Sequence, residues 1–248
     1  MSGHSHWSTI KRKKAGADAK RGAAFSKAAK AITVAARQAG GDPAMNLALR
    51  YAIDKAREIN MPRDNIERAV KKGTGELGGA QIEHLVYEVY ASGGVAVMIE
   101  CVTDNRNRTA SEIRNLVEKN GATMAAMNAV AHMFQRKGVI TVSAEAADED
   151  RVMEIALEAG ADDVVTDQGV HEVTCHPDRF EDVATAFETA DIKTETAKVE
   201  PVPHTTIPLD VATASKVLRL MTLLDEQEDV NEVYANFDIS DEVMAQVE

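Results

Sequence analysis

Between Gly22 and Gln38 the apolar positions Phe25, Ala29, Ile32 and Ala36 recur at helical spacing and leave Lys27, Lys30 and Arg37 on the other side. That period predicts an amphipathic helix. Gly40-Gly41 stops it, and Asp42-Pro43 offers an N-cap and a first-turn proline for a second helix running to about Ile59, with Leu49, Ala52, Ile53, Ala56 and Ile59 on one face. Pro62 restarts a third helix with Asp64 and Glu67 in its first turn, Lys71-Lys72 in its last and Gly73 at its C-cap, the charge order that a helix dipole favours. Facing apolar stripes on three short helices predict a small bundle. The glycines at 73, 75, 78 and 79 then read as a linker.

From residue 81 the period changes. Residues 82–90 and 95–103 are β-rich runs joined by Ser92-Gly93-Gly94, a hairpin with glycine for the positive φ of a tight turn. A polar loop, Asp104 to Arg108, leads into a helix from about Thr109 to Lys119. Downstream, 138–142, 148–159, 162–166, 170–175, 178–189 and 194–199 spell strand, helix, strand, strand, helix, strand, the order of a ferredoxin-like unit. A stretch from Pro201 to Pro208 separates it from a last helix (210–224) and strand (230–237). That pair cannot bury both faces alone, so it is expected to return to the sheet begun at 82–103. The fold class is therefore α+β: an N-terminal three-helix bundle, then two α/β sandwich domains, one ferredoxin-like and inserted into the other. The expected domains are 1–79, 80–135 with 205–248, and 136–204.

The chain has 248 residues and a net charge of −12, which on its face argues against a polyanion partner. Its distribution reverses that argument. Residues 1–79 hold 16 Lys and Arg against 7 Asp and Glu, a net +9, and the remainder holds 12 against 33, a net −21. Within residues 11–30 stand Lys11, Arg12, Lys13, Lys14, Lys20, Arg21, Lys27 and Lys30 against the single acid Asp18. A solvated face usually interleaves both signs, so this density points to nucleic acid. Membrane binding fits less well, because the Phe25, Ala29, Ile32, Ala36 stripe is too small and Ala-rich to insert strongly.

Other chemistry finds little support. The chain contains no GxSxG, P-loop, HExxH or EF-hand pattern, so no catalysis, cofactor, metal or small-molecule substrate is expected. Cys101 and Cys175 lie in separate apolar runs and read as small buried hydrophobes. The seven histidines are scattered, and His171 and His176 fall on opposite faces of one strand. The acids of 145–163 and 225–242 read as solvated faces and turns. With no signal peptide and no span of ~20 apolar residues, a cytoplasmic protein is expected.

Several ordered motifs resemble the YebC/PmpR family. They are Gly3-His4-Ser5-His6-Trp7, Ile10 to Lys14 with Asp18 to Gly22, Ala35-Ala36-Arg37 with Gly40 to Pro43, and Asn60 to Ala69 with Lys72-Gly73 and Gly75. The likeness continues more thinly through Tyr87 to Arg108, Arg136-Lys137-Gly138 and Val233 to Asp238. It implies a cytoplasmic, three-domain α+β protein, usually described as a DNA-binding transcriptional regulator. Members, including a mitochondrial activator of cytochrome oxidase synthesis, are also assigned to the ribosome, where they help translation past proline runs. Between Gly121 and Phe134 the chain departs from the family pattern: Ala122 to Asn128 and His132 replace a Gly- and Ser-containing turn and a Trp. His6 stands where Lys is common.

Two partner readings follow. For DNA, the second and third helices make a helix-turn-helix if the residues around Asn60 form its turn, with Arg63, Asn65 and Arg68 as base readers. For ribosomal RNA, a basic arm reaches in while the acidic body is repelled, and Trp7 either stacks on an unpaired base or anchors the arm to the bundle. The expected contact set is Trp7, Lys11, Arg12, Lys13, Lys14, Lys20, Arg21, Lys27, Lys30, Arg63 and Arg68.

Overall fold

A computed structural model describes residues 21–77, 83–167 and 169–247. Helix α1 spans Arg21–Ala39, α2 Leu47–Glu58 and α3 Arg63–Gly73. Their core is Ile32, Ala35, Ala36, Leu49, Ile53, Ala56, Met61, Ile66 and Ala69, the stripes read from the sequence. Alanine on α1 permits close approach, and it is closest at Gly73, where a Cβ would lie 2.5 Å from the Thr33 carbonyl oxygen and 2.7 Å from the Ala36 Cβ. Helix α3 therefore keeps Gly73 inside its last turn, and the cap falls on Thr74.

The start of α2 differs from expectation. Its cap is Asn46, not Asp42: the Asn46 side-chain oxygen accepts from Leu49 N, and its amide donates to the carbonyls of Ala35 and Gly40 at 2.8 Å. One buried amide thus closes the end of α1 and opens α2. Asp42 instead accepts from the Ala44 N–H within the preceding turn.

Contacts divide the chain into two units, one of residues 135–202 and the other of the described residues up to 134 with 203–247. In the latter, β1 (Glu83–Tyr90) and β2 (Ala96–Thr103) form the expected hairpin, with Gly93 and Gly94 at φ of 76° and 77°. Helix α4 (Arg106–Lys119) starts three residues earlier than predicted, because Asn105 caps it by accepting from Arg108 N. A two-residue strand, β3 (Thr123–Met124), pairs with β1. The late helix α7 spans Val211–Glu226 and the late strand β9 Val230–Ala235. Strand β9 lies antiparallel to β2, giving the order β3-β1-β2-β9. Ile113 and Val117 of α4, with Val217, Leu218, Met221 and Leu224 of α7, bury against Val89, Val97, Ile99 and Val233 of the sheet.

The 135–202 unit has strands β4 (Phe134–Ser143), β5 (Asp163–Asp167), β6 (Val170–Cys175) and β7 (Thr194–Pro203), with helices α5 (Glu149–Glu158) and α6 (Phe180–Thr189). The strand order β5-β6-β4-β7 is the ferredoxin-like one. Strand β7 runs through Pro201 to Pro203, beyond its predicted end. It can do so as an edge strand, where the missing proline N–H need not serve the ladder. The chain then adds β8 (Ile207–Pro208), parallel to β10 (Phe237–Asp238), and ends in α8 (Asp241–Val247). No helix among the described residues is long and apolar enough to cross a membrane.

Candidate nucleic-acid interface

Trp7, Lys11, Arg12, Lys13, Lys14 and Lys20 lie outside the described residues, and of Arg21 only its place at the start of α1 is described. The remaining predicted contacts divide into two groups. Arg63 and Arg68 are exposed on α3, where Lys71 and Lys72 are exposed as well. Arg63 Nε lies 2.8 Å from Glu67 Oε1, which takes up part of its charge. Arg68, Lys71 and Lys72 stand at i, i+3 and i+4, so their cations share one side of the helix. Lys71 and Lys72 join this candidate surface; from the sequence they read only as the basic last turn of the helix, and their spacing with Arg68 was the signal that could have placed them here. The turn before α3 contains Asn60 at φ of 60°, and Asn65 is half-buried.

Lys27 and Lys30 have a different environment. The Lys27 ammonium donates to the Asp225 carbonyl and lies 3.3 Å from Asp225 Oδ1. Lys30 Nζ donates to the Glu228 carbonyl at 2.7 Å and to Asp229 Oδ1 at 2.8 Å. Both cations are therefore held by the last turn of α7 and the residues that lead from it into β9, a correction to reading 225–229 as a merely solvated acidic run.

Asp229 is the centre of this contact. Its side chain is 2% exposed, and Arg108 Nη2 donates to its two carboxylate oxygens at 3.1 and 2.9 Å while the Thr109 hydroxyl donates at 2.8 Å. Burial alone would raise its pKa, but the hydrogen bonds from Lys30, Arg108 and Thr109 overcome that effect and hold the carboxyl below its usual range. The turn is itself braced. Gln227 Oε1 accepts from Asp229 N and Val230 N, and Val102 N donates to the Asp229 carbonyl beside a bulge in the β2–β9 pairing.

The remaining polar features hold structure together. His171 is buried between the Thr166 hydroxyl at 2.8 Å and the Ala147 carbonyl at 3.0 Å, whereas His176 is exposed. Burial pushes the Cys101 thiol up to about 12 and the Cys175 thiol up to about 11, with Asp229 and Asp162 as their nearby charges. No cluster of His, Cys, Asp and Glu suited to a metal ion occurs among the described residues.

The comparisons with known proteins agree over nearly the whole chain. Residues 5–76 match the TACO1/YebC protein N-terminal domain, and residues 82–237 match the TACO1/YebC second and third domain. A "probable transcriptional regulatory protein" of Rubrobacter xylanophilus is 54% identical across 100% of this chain and 99% of its own length. One of the same description from Treponema pallidum is 52% identical across 98% of this chain and 100% of its own. The crystal structure of a conserved hypothetical protein, Aq1575 from Aquifex aeolicus, superposes with a TM-score of 0.82 at 44% identity, covering 90% of this chain and 93% of that one. With both family domains matched in order and relatives of more than half identity along its full length, this chain belongs to the TACO1/YebC family.

Proposed function

We propose that this protein regulates gene expression by binding nucleic acid in the cytoplasm through its basic N-terminal head, as a DNA-binding transcriptional regulator. The observation that carries the reading is the charge polarity: +9 over residues 1–79 against −21 over the rest. Lys and Arg neutralise phosphates and release counterions, which supplies affinity, while an acidic body opposes indiscriminate coating. The names of the relatives support regulation. Arg63, Arg68, Lys71 and Lys72 on α3 would supplement the cations of residues 11–21. The head acts by binding rather than catalysis.

Affinity for a cognate promoter fragment should exceed that for random DNA of equal length by more than tenfold at physiological salt. Equal affinity would overturn sequence-specific transcriptional control. One observation favours a second reading, contact with ribosomal RNA: α3 has only 11 residues, and one of its predicted base readers, Asn65, is half-buried. Little is then left to read a major groove, whereas a charged arm suits an RNA cleft. Crosslinking in cells followed by sequencing of the bound nucleic acid separates the two. Promoter DNA supports the first reading, and ribosomal RNA replaces it with the second.

A further inference from the structure

The apolar core of the helical head and that of the sheet carrying α4 and α7 share no residue. Their joint includes two ion pairs, Lys27 with Asp225 and Lys30 with Asp229, and a hydrogen bond from Lys30 to the Glu228 carbonyl. The Asp225 and Asp229 carboxylate oxygens that receive these ammonium groups offer the same chemistry as a nucleic-acid phosphate, and the Asp225 and Glu228 carbonyls add two neutral acceptors. Four of the five residues from Asp225 to Asp229 are acidic, and two of them, Asp225 and Asp229, hold two cations of the basic segment through their carboxylates. Such ionic contacts weaken with salt and exchange with competing anions.

We propose that the 225–229 segment, the end of α7 and the turn after it, is an internal phosphate mimic, a latch that holds α1 against the body and is displaced when the head engages nucleic acid. The latch rests on the nucleic-acid reading above and adds a regulated step to it. In the latched state Lys27 and Lys30 are withheld from phosphates, so apparent affinity is the intrinsic affinity scaled by the unlatched fraction. Asp225 and Asp229 set that fraction. Arg108 and Thr109 keep the Asp229 carboxylate in place when Lys30 leaves, so the body stays folded as the head is released.

The test uses the full chain carrying a fluorescence donor and acceptor at Gln38→Cys and Glu118→Cys, both exposed positions. It is titrated with a 30-base-pair DNA duplex, a 30-nucleotide RNA and heparin. Binding should lower energy transfer between α1 and the body. Asp225→Asn with Asp229→Asn should lower it without ligand and raise nucleic-acid affinity about tenfold, as releasing a minor binding-competent state does. Lys27→Gln with Lys30→Gln should also lower transfer, but should make the salt slope of duplex binding shallower by about 2.

If Asp229→Asn unfolds the body, Asp225→Asn alone must show the same direction with a smaller gain. Unchanged affinity in folded carboxamide variants, or an unchanged slope in the lysine variant, would make the contact a fixed anchor and overturn the latch. If the wild-type chain binds neither nucleic acid, the functional reading fails, and heparin decides the latch separately. A fall in transfer with heparin keeps the displaceable joint, and constant transfer removes it.

Discussion

Glu88 on β1 and Val130, 42 residues later, are joined by a 2.6 Å hydrogen bond from the Val130 backbone N–H to Glu88 Oε2. The same carboxylate accepts from Asn128 N at 2.5 Å and Ala131 N at 3.0 Å. The chain passes from β3 to β4 around one buried anion, with Met127 86% exposed at the tip. Glu88→Gln keeps the volume but replaces one carboxylate oxygen with an amide that cannot accept, leaving at least one N–H without its partner. The expected cost is about 1–3 kcal/mol. Urea unfolding measures it, and amide exchange should accelerate at residues 128–131 before it does in β1. Equal stability of the two proteins would show that the carboxylate is dispensable.

Gly73 sets helix propensity against packing. Alanine is favoured over glycine in a helix by about 1 kcal/mol, yet the Cβ of Gly73→Ala would meet the Thr33 carbonyl at 2.5 Å and the Ala36 Cβ at 2.7 Å. Both obstacles belong to α1 and neither is the end of a flexible chain, so overpacking should win by about 1–2 kcal/mol net. The loss should appear as earlier melting of the head, followed by amide exchange in α1 and α3. A stabilised Gly73→Ala protein would show that α1 moves aside without cost.

The helical head was readable because its information is local. The apolar period of Ile32, Leu49, Ile53 and Ala56 names the buried face whatever lies opposite. The ferredoxin-like order and the return of β9 to β2 were readable from element sequence and from the need to bury a lone helix and strand. Asn46 displaced Asp42 as the cap because its amide also meets two carbonyls of another element, a tertiary fact. The partners of Lys27 and Lys30 lie 198 and 199 residues away, and Glu88 binds backbone N–H groups that carry no residue signature. Charge density pointed to the basic segment as an interface but could not say which of its cations the chain itself occupies.

Acid should weaken the fold through Asp229. Its folded pKa is depressed, so the native state binds its proton more weakly than the unfolded chain does. The stabilisation is complete above the ordinary carboxyl pKa of about 4. It is lost as pH falls through the lower folded value. Thermal melting from pH 7 to pH 2 should show a decline below pH 4 that is smaller in Asp229→Asn. An identical acid decline in both proteins would assign it to other carboxylates.

The two thiols should be inert in the native protein. Cys101 and Cys175 are buried, with pKa values pushed up to about 12 and about 11, so the thiolate that attacks a disulfide reagent is scarce at pH 8. An aromatic disulfide reagent should titrate almost no thiol until denaturant is added, and then two per chain. Rapid reaction of either in the folded protein would show an opening that exposes its strand.

The exposed cations of α3 offer the most direct check on the surface. Arg68, Lys71 and Lys72 lie on the solvent side of the helix, away from Ile66 and Ala69 in the core, so replacing all three with glutamine should shift stability by no more than about 0.5 kcal/mol. Its effect on binding depends on whether phosphates meet this face. If all three are engaged with a duplex, the slope of log affinity against log salt should become shallower by about 2–3. Loss of one contact would change it by about 1. A folded triple variant with the wild-type slope would confine phosphate contact to the cations outside α3, and residues 11–21 would then carry the affinity. The same titration with Arg63→Gln calibrates the scale: Glu67 already shares its charge at 2.8 Å, so the change in slope should be smaller than for Arg68→Gln.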